Sequence, residues 1–227
     1  MNREQWLERR KEGIGASEVG AILGLSDYET AMSLWAQKSV MTTPKEETLA
    51  MWLGHEMEPI IAKRYEMETG RKLVDPGDYA ILQSPDVPFL FSTLDRKTEF
   101  DGYGWGPVEM KAPGERTKDE WAGGGSPLIY QAQLQVQMFC MGAQVGEIAA
   151  IEGNSEFLIR RYEYNSRFMD AIIPVLSEFW FNVKREIPPK IDGGMATSNA
   201  IRKLLPEDNG ETIELPYELI GDAFRID

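Results

Sequence analysis

The 227-residue chain has one cysteine, Cys140, and one histidine, His55. A single thiol excludes an internal disulfide framework and a four-cysteine iron-sulfur site, and no Cys/His zinc set can be assembled. That usage suits a reducing cytoplasm. No apolar run reaches the length of a membrane span, and the opening MNREQWLERRK lacks the apolar core of a secretory leader. The chain is therefore expected to stay in the cytoplasm where it is made. Basic residues are also scarce: 24 Lys and Arg face 37 Asp and Glu, for a formal net charge of −13. This excludes a uniformly basic nucleic-acid-binding surface and leaves room for a local track. Candidates for such a track are Arg3, Arg9, Arg10 and Lys11 near the start, and Arg96, Lys97 and Lys111 further on. No internal repeat or low-complexity tract is present, and 42% hydrophobic residues suffice for a substantial core.

What is present is an Asp followed by Glu-x-Lys on neighbouring predicted strands. Residues 89–98 (FLFSTLDRKT) are aromatic and β-branched enough for a strand, residues 101–106 (DGYGWG) form a Gly-rich turn, and PVEMK resumes extended structure. Asp95 and Glu109 should meet across this hairpin. Glu109 and Lys111, two apart, project from one face while Met110 points to the other. Two carboxylates can hold Mg²⁺ or Mn²⁺ and leave positions open for water and a phosphate. A charged lysine has no lone pair to offer a metal, so Lys111 suits orientation of an attacking water or neutralisation of charge at phosphorus. A second ion would stabilise the leaving 3′ oxygen. The combination suits metal-dependent phosphodiester hydrolysis. On its own, Glu-x-Lys also describes a solvated strand face, so its company matters.

Residues 51–70 have helical periodicity, with Trp52, Met57, Ile60, Ile61 and Tyr65 as the buried positions and Gly70 as a C-cap. This helix carries His55, Glu56 and Glu58. A second helix, 127–141, contains Gln131, Gln133, Gln135 and Gln137; Gln133 shares a face with Gln137, and Gln131 with Gln135. Gln131, Gln135 and Gln137 read as a polar helix flank. The Gly-rich run 13–24 has neither the Lys-Ser/Thr ending nor the preceding strand of a phosphate-binding loop.

In order along the chain stand Trp6 with Arg10, GIGASEV (13–19), GHEME (54–58), Asp95, Glu109-Met110-Lys111 and Tyr130-Gln131-Ala132-Gln133, followed by Phe179-Trp180, Ile187-Pro188-Pro189 and Asp192-Gly193. This series resembles the YqaJ and lambda exonuclease family of phage recombination nucleases. The resemblance implies an α/β, restriction-endonuclease-like (PD-(D/E)xK) fold with a mixed central sheet flanked by helices, in a nuclease domain spanning 1–194. It implies a Mg²⁺-dependent 5′-to-3′ exonuclease that degrades one strand of duplex DNA to mononucleotides and leaves 3′ overhangs. Mn²⁺ would substitute, and two ions are expected. Asp95, Glu109, the Met110 carbonyl and Glu58 would hold the metal, Lys111 would act on the water, and Gln133 would contact the active centre. Arg10 would receive the 5′ phosphate, with Ser17 and Thr93 as DNA contacts. A trimeric ring, a single-strand annealing protein as partner and a bacterial host cytoplasm as location are also implied. One departure is Leu94 where the family usually has proline. Two alternatives stay open: an endonuclease or repair nuclease of the same fold, and a DNA-end-binding module without catalysis.

The remaining chain reads as helices at 3–11, 18–23 and 29–39, the last capped by Asp27, then a polar connector at 41–47 and strands from 72 to 111. The loop 117–126 is either a DNA-contacting flap or a simple connector. Strands at 145–152 and 156–164 join through Gly153-Asn154. A final helix, 166–185, should kink or split at Pro174. Its apolar stripe is Phe168, Ile172, Val175, Leu176 and Phe179, with Trp180 and Phe181 as core or subunit interface. Residues 195–227 read as a polar tail, a shortened extension, with a short helix at 199–205.

Overall fold

A computed structural model of the chain describes residues 2–26, 28–39, 48–77, 79–114, 120–121, 124–152, 156–191 and 194–204. The Asp27 cap, the 41–47 connector, half of the 117–126 loop, the Gly153-Asn154 turn, Asp192-Gly193 and residues 205–227 lie outside the described residues.

The first helix, α1 (Arg3–Arg10), starts at Asn2, whose side chain accepts from Gln5 N at 2.9 Å while the Gln5 side chain accepts from Asn2 N at 3.1 Å. This reciprocal cap satisfies two of the helix's orphan donors. Strand β1 (Ile14–Gly15), a 3-10 turn over Ala16–Glu18 and α2 (Val19–Ile22) follow directly. A Cβ at Gly13 would stand 2.3 Å from the Phe89 carbonyl, so glycine is what lets the chain enter the sheet here. Helix α3 (Ala31–Ser39) is capped by Thr30 and Ser33, each side chain accepting from the other's backbone N–H at 3.2 and 2.9 Å.

Two sheets form. In the smaller, β1 runs parallel to β3 (Leu90–Ser92), which pairs antiparallel with β2 (Leu82–Gln83). The larger has the order β4 (Arg96–Phe100), β5 (Gly104–Lys111), β6 (Val145–Glu152), β7 (Glu156–Glu163), antiparallel at both edges and parallel between β5 and β6. The strand expected over 89–98 is thus two strands in different sheets, separated by a break at 93–95. The turn expected at 101–106 is shorter too, because Gly104, Trp105 and Gly106 already pair with β4.

Helix α4 (Leu49–Thr69) covers one face of the larger sheet and stops at Gly70, whose φ of 70° is the left-handed C-cap conformation. Ile61 and Tyr65 are buried against Phe100, Val108, Met110, Val145 and Ala149, with Met57 packed beside them. Trp52 and Ile60, expected inside, are 48% and 53% exposed. The sheet covers just the stripe at 57, 61 and 65, one helical turn apart each, and these two side chains lie off it. On the opposite face, α5 (Leu128–Met141) sets Leu134 and Met138 against Ile148, Ala150 and Trp121.

Helix α6 (Ser166–Lys184) runs through Pro174 without splitting and buries Met169, Ile172, Leu176, Phe179, Trp180 and Val183. Trp180 is core, stacked on Phe89, whereas Val175 and Phe181 lie on the outer side at 44% and 56% exposure. Helix α7 (Met195–Leu204) begins ahead of the expected residue 199 and packs on α3, where Thr197 is fully buried and its hydroxyl lies 2.8 Å from that of Thr30. Among the described residues no helix is long and apolar enough to cross a membrane.

Candidate active site

The break at 93–95 and the end of β5 build the site. Strand β4 begins at Arg96, opposite Val108, and one step back along that register sets Asp95 beside Glu109. Because Asp95 has left the ladder, its side chain takes the place of a strand partner: Met110 N donates to Asp95 Oδ2 at 2.7 Å. Glu109 is 1% exposed. Its Oε1 accepts from Lys111 Nζ at 2.5 Å and Gln133 Nε2 at 2.6 Å, and its Oε2 accepts from Gln137 Nε2 at 2.5 Å. The alternation that sends Glu109 and Lys111 to one side sends Met110 into the core beneath α4.

Charge is concentrated here. Burial pushes the Asp95 carboxyl well up, and the neighbouring Glu109 and Glu58 add to the rise, partly offset by Lys111 and the Met110 N–H. Glu58, half-buried on α4, is raised by burial and by Glu109, against the opposing influence of His55. Burial would depress Lys111, yet Glu109 and Asp95 outweigh it and hold its ammonium protonated. The ammonium also lies 4.9 Å from the centroid of the Tyr130 ring.

A second cluster adjoins the first. Arg10 lies over the Trp6 ring, 4.8 Å from its centroid, and donates to Glu18 Oε1 at 2.6 Å and to Ser17 Oγ at 3.4 Å. Glu18 is 7% exposed and also accepts from Gly15 N at 2.8 Å and pairs with Lys38 Nζ at 2.8 Å, while Lys38 donates to the Arg10 carbonyl at 2.8 Å. Burial would raise Glu18, but Arg10 and Lys38 outweigh it and hold the carboxyl below the usual range. Trp6 Nε1 donates to Thr93 Oγ1 at 3.3 Å, tying α1 to the bend that carries Asp95.

The structure therefore brings together Asp95, Glu109, Met110, Lys111, Gln133 and the charge of Glu58, and sets Arg10 and Ser17 in contact, with Thr93 between the two groups through Trp6. The reading of Gln137 as a helix flank is overturned, since the side chain is fully buried on Glu109. Its four-residue spacing from Gln133 was the available signal. Gln131 and Gln135 also do more than coat a helix: Gln131 donates to the Ser126 carbonyl at 2.6 Å, and Gln135 bridges the Glu163 carbonyl and Asn165 N, each at 2.8 Å. Glu18 and Lys38 were missed because nothing local links residues twenty positions apart.

The model of the YqaJ-like viral recombinase domain family matches residues 5–144, a span that encloses every residue of both clusters. The chain is 28% identical over 220 residues to protein YqaJ of Bacillus subtilis (strain 168), covering 95% of this chain and 67% of the relative. Among solved structures, the alkaline exonuclease LHK-Exo of Laribacter hongkongensis superposes with a TM-score of 0.64 at 24% identity, covering 81% of this chain and 94% of the other. Its complex with dAMP gives a TM-score of 0.67 at 22% identity, covering 82% and 94%. At these identities the likeness establishes a shared fold, the mixed α/β arrangement expected from the sequence.

Proposed function

The chain belongs to the YqaJ-like viral recombinase domain family, and on that premise we propose that it is a Mg²⁺-dependent nuclease that digests one strand of duplex DNA from its 5′ end, releasing mononucleotides and leaving a 3′ single-stranded overhang. LHK-Exo, which shares the fold, is an alkaline exonuclease captured with dAMP. The observation that carries the reading is the juxtaposition of Asp95 and Glu109, with Lys111 bonded to the latter.

The donor set fits a hard divalent cation. Three carboxylates, Asp95, Glu109 and Glu58, repel one another with one ammonium among them, and this adds to the rise that burial imposes on Asp95. Among the described residues no group of three His, Cys, Asp or Glu side chains stands ready to enclose an ion. Two carboxylates, Asp95 and Glu109, with the Met110 carbonyl and waters, match the partial protein coordination that Mg²⁺ accepts, and Glu58 would act through a water. When bound, the ion would acidify water and polarise the scissile phosphoryl oxygen.

The chain's own residues do the rest. Lys111, kept protonated by its two acids, orients the attacking water and offsets negative charge at phosphorus. Gln133 holds Glu109 in place. Arg10, braced by Glu18 and stacked on Trp6, presents a guanidinium to a terminal phosphate, with the Ser17 and Thr93 hydroxyls as neutral donors beside it. The net charge of −13 makes this binding modest and salt-sensitive. The family resemblance extends the proposal to a ring-shaped trimer, a single-strand annealing partner and a bacterial host cytoplasm.

A time course on 5′-phosphorylated linear, 5′-hydroxyl linear and closed circular duplex, with Mg²⁺ or EDTA, tests the reading. Mononucleotide release from linear DNA, fastest from phosphorylated ends and abolished by EDTA, is expected. Nicking of circles indicates an endonuclease, and binding without release indicates an end-binding module.

A further inference from the structure

We propose that Gln137 is a positioning residue of the divalent-ion site, a single buried amide that clamps the Asp95-bearing bend to Glu109. The inference rests on the nuclease reading given above and adds a residue that the reading does not require.

Gln137 sits near the middle of α5 and is fully buried. Its Nε2 donates in two directions, to Glu109 Oε2 at 2.5 Å and to the Thr93 carbonyl at 3.3 Å. Its Oε1, equally buried, has no hydrogen-bond partner. Turning the amide over would give that oxygen no donor and press it against the Glu109 carboxylate, so the orphan acceptor is accepted to keep both donations. A methionine of similar volume would fill the same space without an unsatisfied atom. The polar side chain is therefore explained by what its nitrogen holds.

What it holds bears directly on the ion. An ionised carboxylate offers about four acceptor positions. Lys111 and Gln133 occupy Oε1, and Gln137 takes one position on Oε2, so the remaining acceptor position of Glu109 lies on the oxygen that Gln137 orients. The second donation reaches the break between the two sheets, where no ladder fixes the backbone. The spacing of Asp95 and Glu109 then depends on two bonds: Met110 N to Asp95 Oδ2, and the Gln137 bridge. Because Trp6 bonds the Thr93 side chain, the same bridge links α1 and its Arg10 to the catalytic carboxylate.

The test is calorimetric titration of Mn²⁺ into DNA-free wild type, Q137M and Q137N, together with the Mg²⁺ dependence of turnover. Q137M keeps the volume and removes both donations, while Q137N keeps the amide but is one methylene too short to span both acceptors. Outer partners of metal ligands typically carry a 10- to 100-fold effect. Mn²⁺ affinity is expected to fall about 10-fold in each variant, and the Mg²⁺ concentration for half-maximal rate to rise similarly, with KM for DNA at saturating metal unchanged. A purely structural glutamine would lower the melting temperature without moving either metal midpoint. Midpoints within about twofold of wild type in folded Q137M, or in Q137N should Q137M not fold, overturn the assignment. Absence of Mn²⁺ binding by wild type instead overturns the nuclease reading, and this inference with it.

Discussion

Met110 N donates to Asp95 Oδ2 at 2.7 Å, so the side chain of the residue just ahead of β4 caps the backbone of β5 next to Glu109. This bond makes the distance between the two acids a property of the hairpin and not of two flexible side chains. Removing either acid or Lys111 should therefore have different structural costs with a common effect on chemistry.

Asp95→Ala and Lys111→Ala are expected to reduce turnover by about 100-fold or more, the scale seen when one electrostatic group of an active site is removed, while duplex binding persists. Glu109→Ala should lose activity to the same extent and also unfold more easily. It strands the donors of Lys111, Gln133 and Gln137, and a buried unsatisfied donor costs about 1 to 3 kcal/mol. Steady-state rates and urea unfolding of the three variants check both statements. Wild-type turnover in any of them removes that residue from the mechanism.

Glu18 gives a pH-dependent stability. Its carboxyl lies below the ordinary value of 4.5 in the folded chain because Arg10 and Lys38 outweigh burial. A carboxylate lowered on folding contributes stability that is complete above the unfolded value and is lost as pH falls through the folded one. Glu18→Gln is thus expected to cost about 2 to 3 kcal/mol at pH 7, less than for a fully enclosed pair because Arg10 is a quarter exposed. Urea melts of wild type and variant should converge as the pH falls below 4.5. A gap that is constant with pH would mean that the ion pair does not supply the difference.

Arg10→Ala should slow digestion of 5′-phosphorylated ends selectively. A charge-assisted contact contributes about 1.5 to 3 kcal/mol, a factor of roughly ten or more in rate at limiting DNA. Arg10→Lys should recover part of it, since an ammonium supplies the charge without the fork. Comparing kcat/KM for phosphorylated and hydroxyl ends is decisive: an equal loss on both makes Arg10 a scaffold for Glu18.

Calcium in place of magnesium should support duplex binding with little cleavage, because its larger, flexible shell positions a water poorly between Asp95 and Glu109. Gel shifts and product release measured in Ca²⁺, then on addition of Mg²⁺, test this. Rapid digestion in Ca²⁺ alone contradicts the proposed donor set.

Much of the architecture was legible because its signals are local. The helix ended by Gly70, the helix that carries the glutamines and the two strands after it fall within a few residues of the sequence expectation. The strand expected over 89–98 failed for a physical reason. Aromatic and β-branched residues report extended backbone on either side of the 93–95 break, but neither the bend itself nor which sheet each half joins. Trp52 and Ile60 failed because periodicity marks an apolar stripe wider than the one the sheet covers.

The sequence by itself determined the chemistry on offer: an aspartate, a Glu-x-Lys whose two-residue spacing sends both charges to one side, and a landmark order that names the family. Those are facts of composition and period, and short-range sterics suffice to impose them. Only the tertiary structure decided that Gln137 joins Gln133 on Glu109, and that Glu18 and Lys38 close a buried ion cluster around Arg10. Such choices depend on how α5 settles over the sheet and how α3, packed beside α2, brings Lys38 to Glu18 and the Arg10 carbonyl, where burial makes an unpaired charge or amide costly and so selects partners that are distant in the chain.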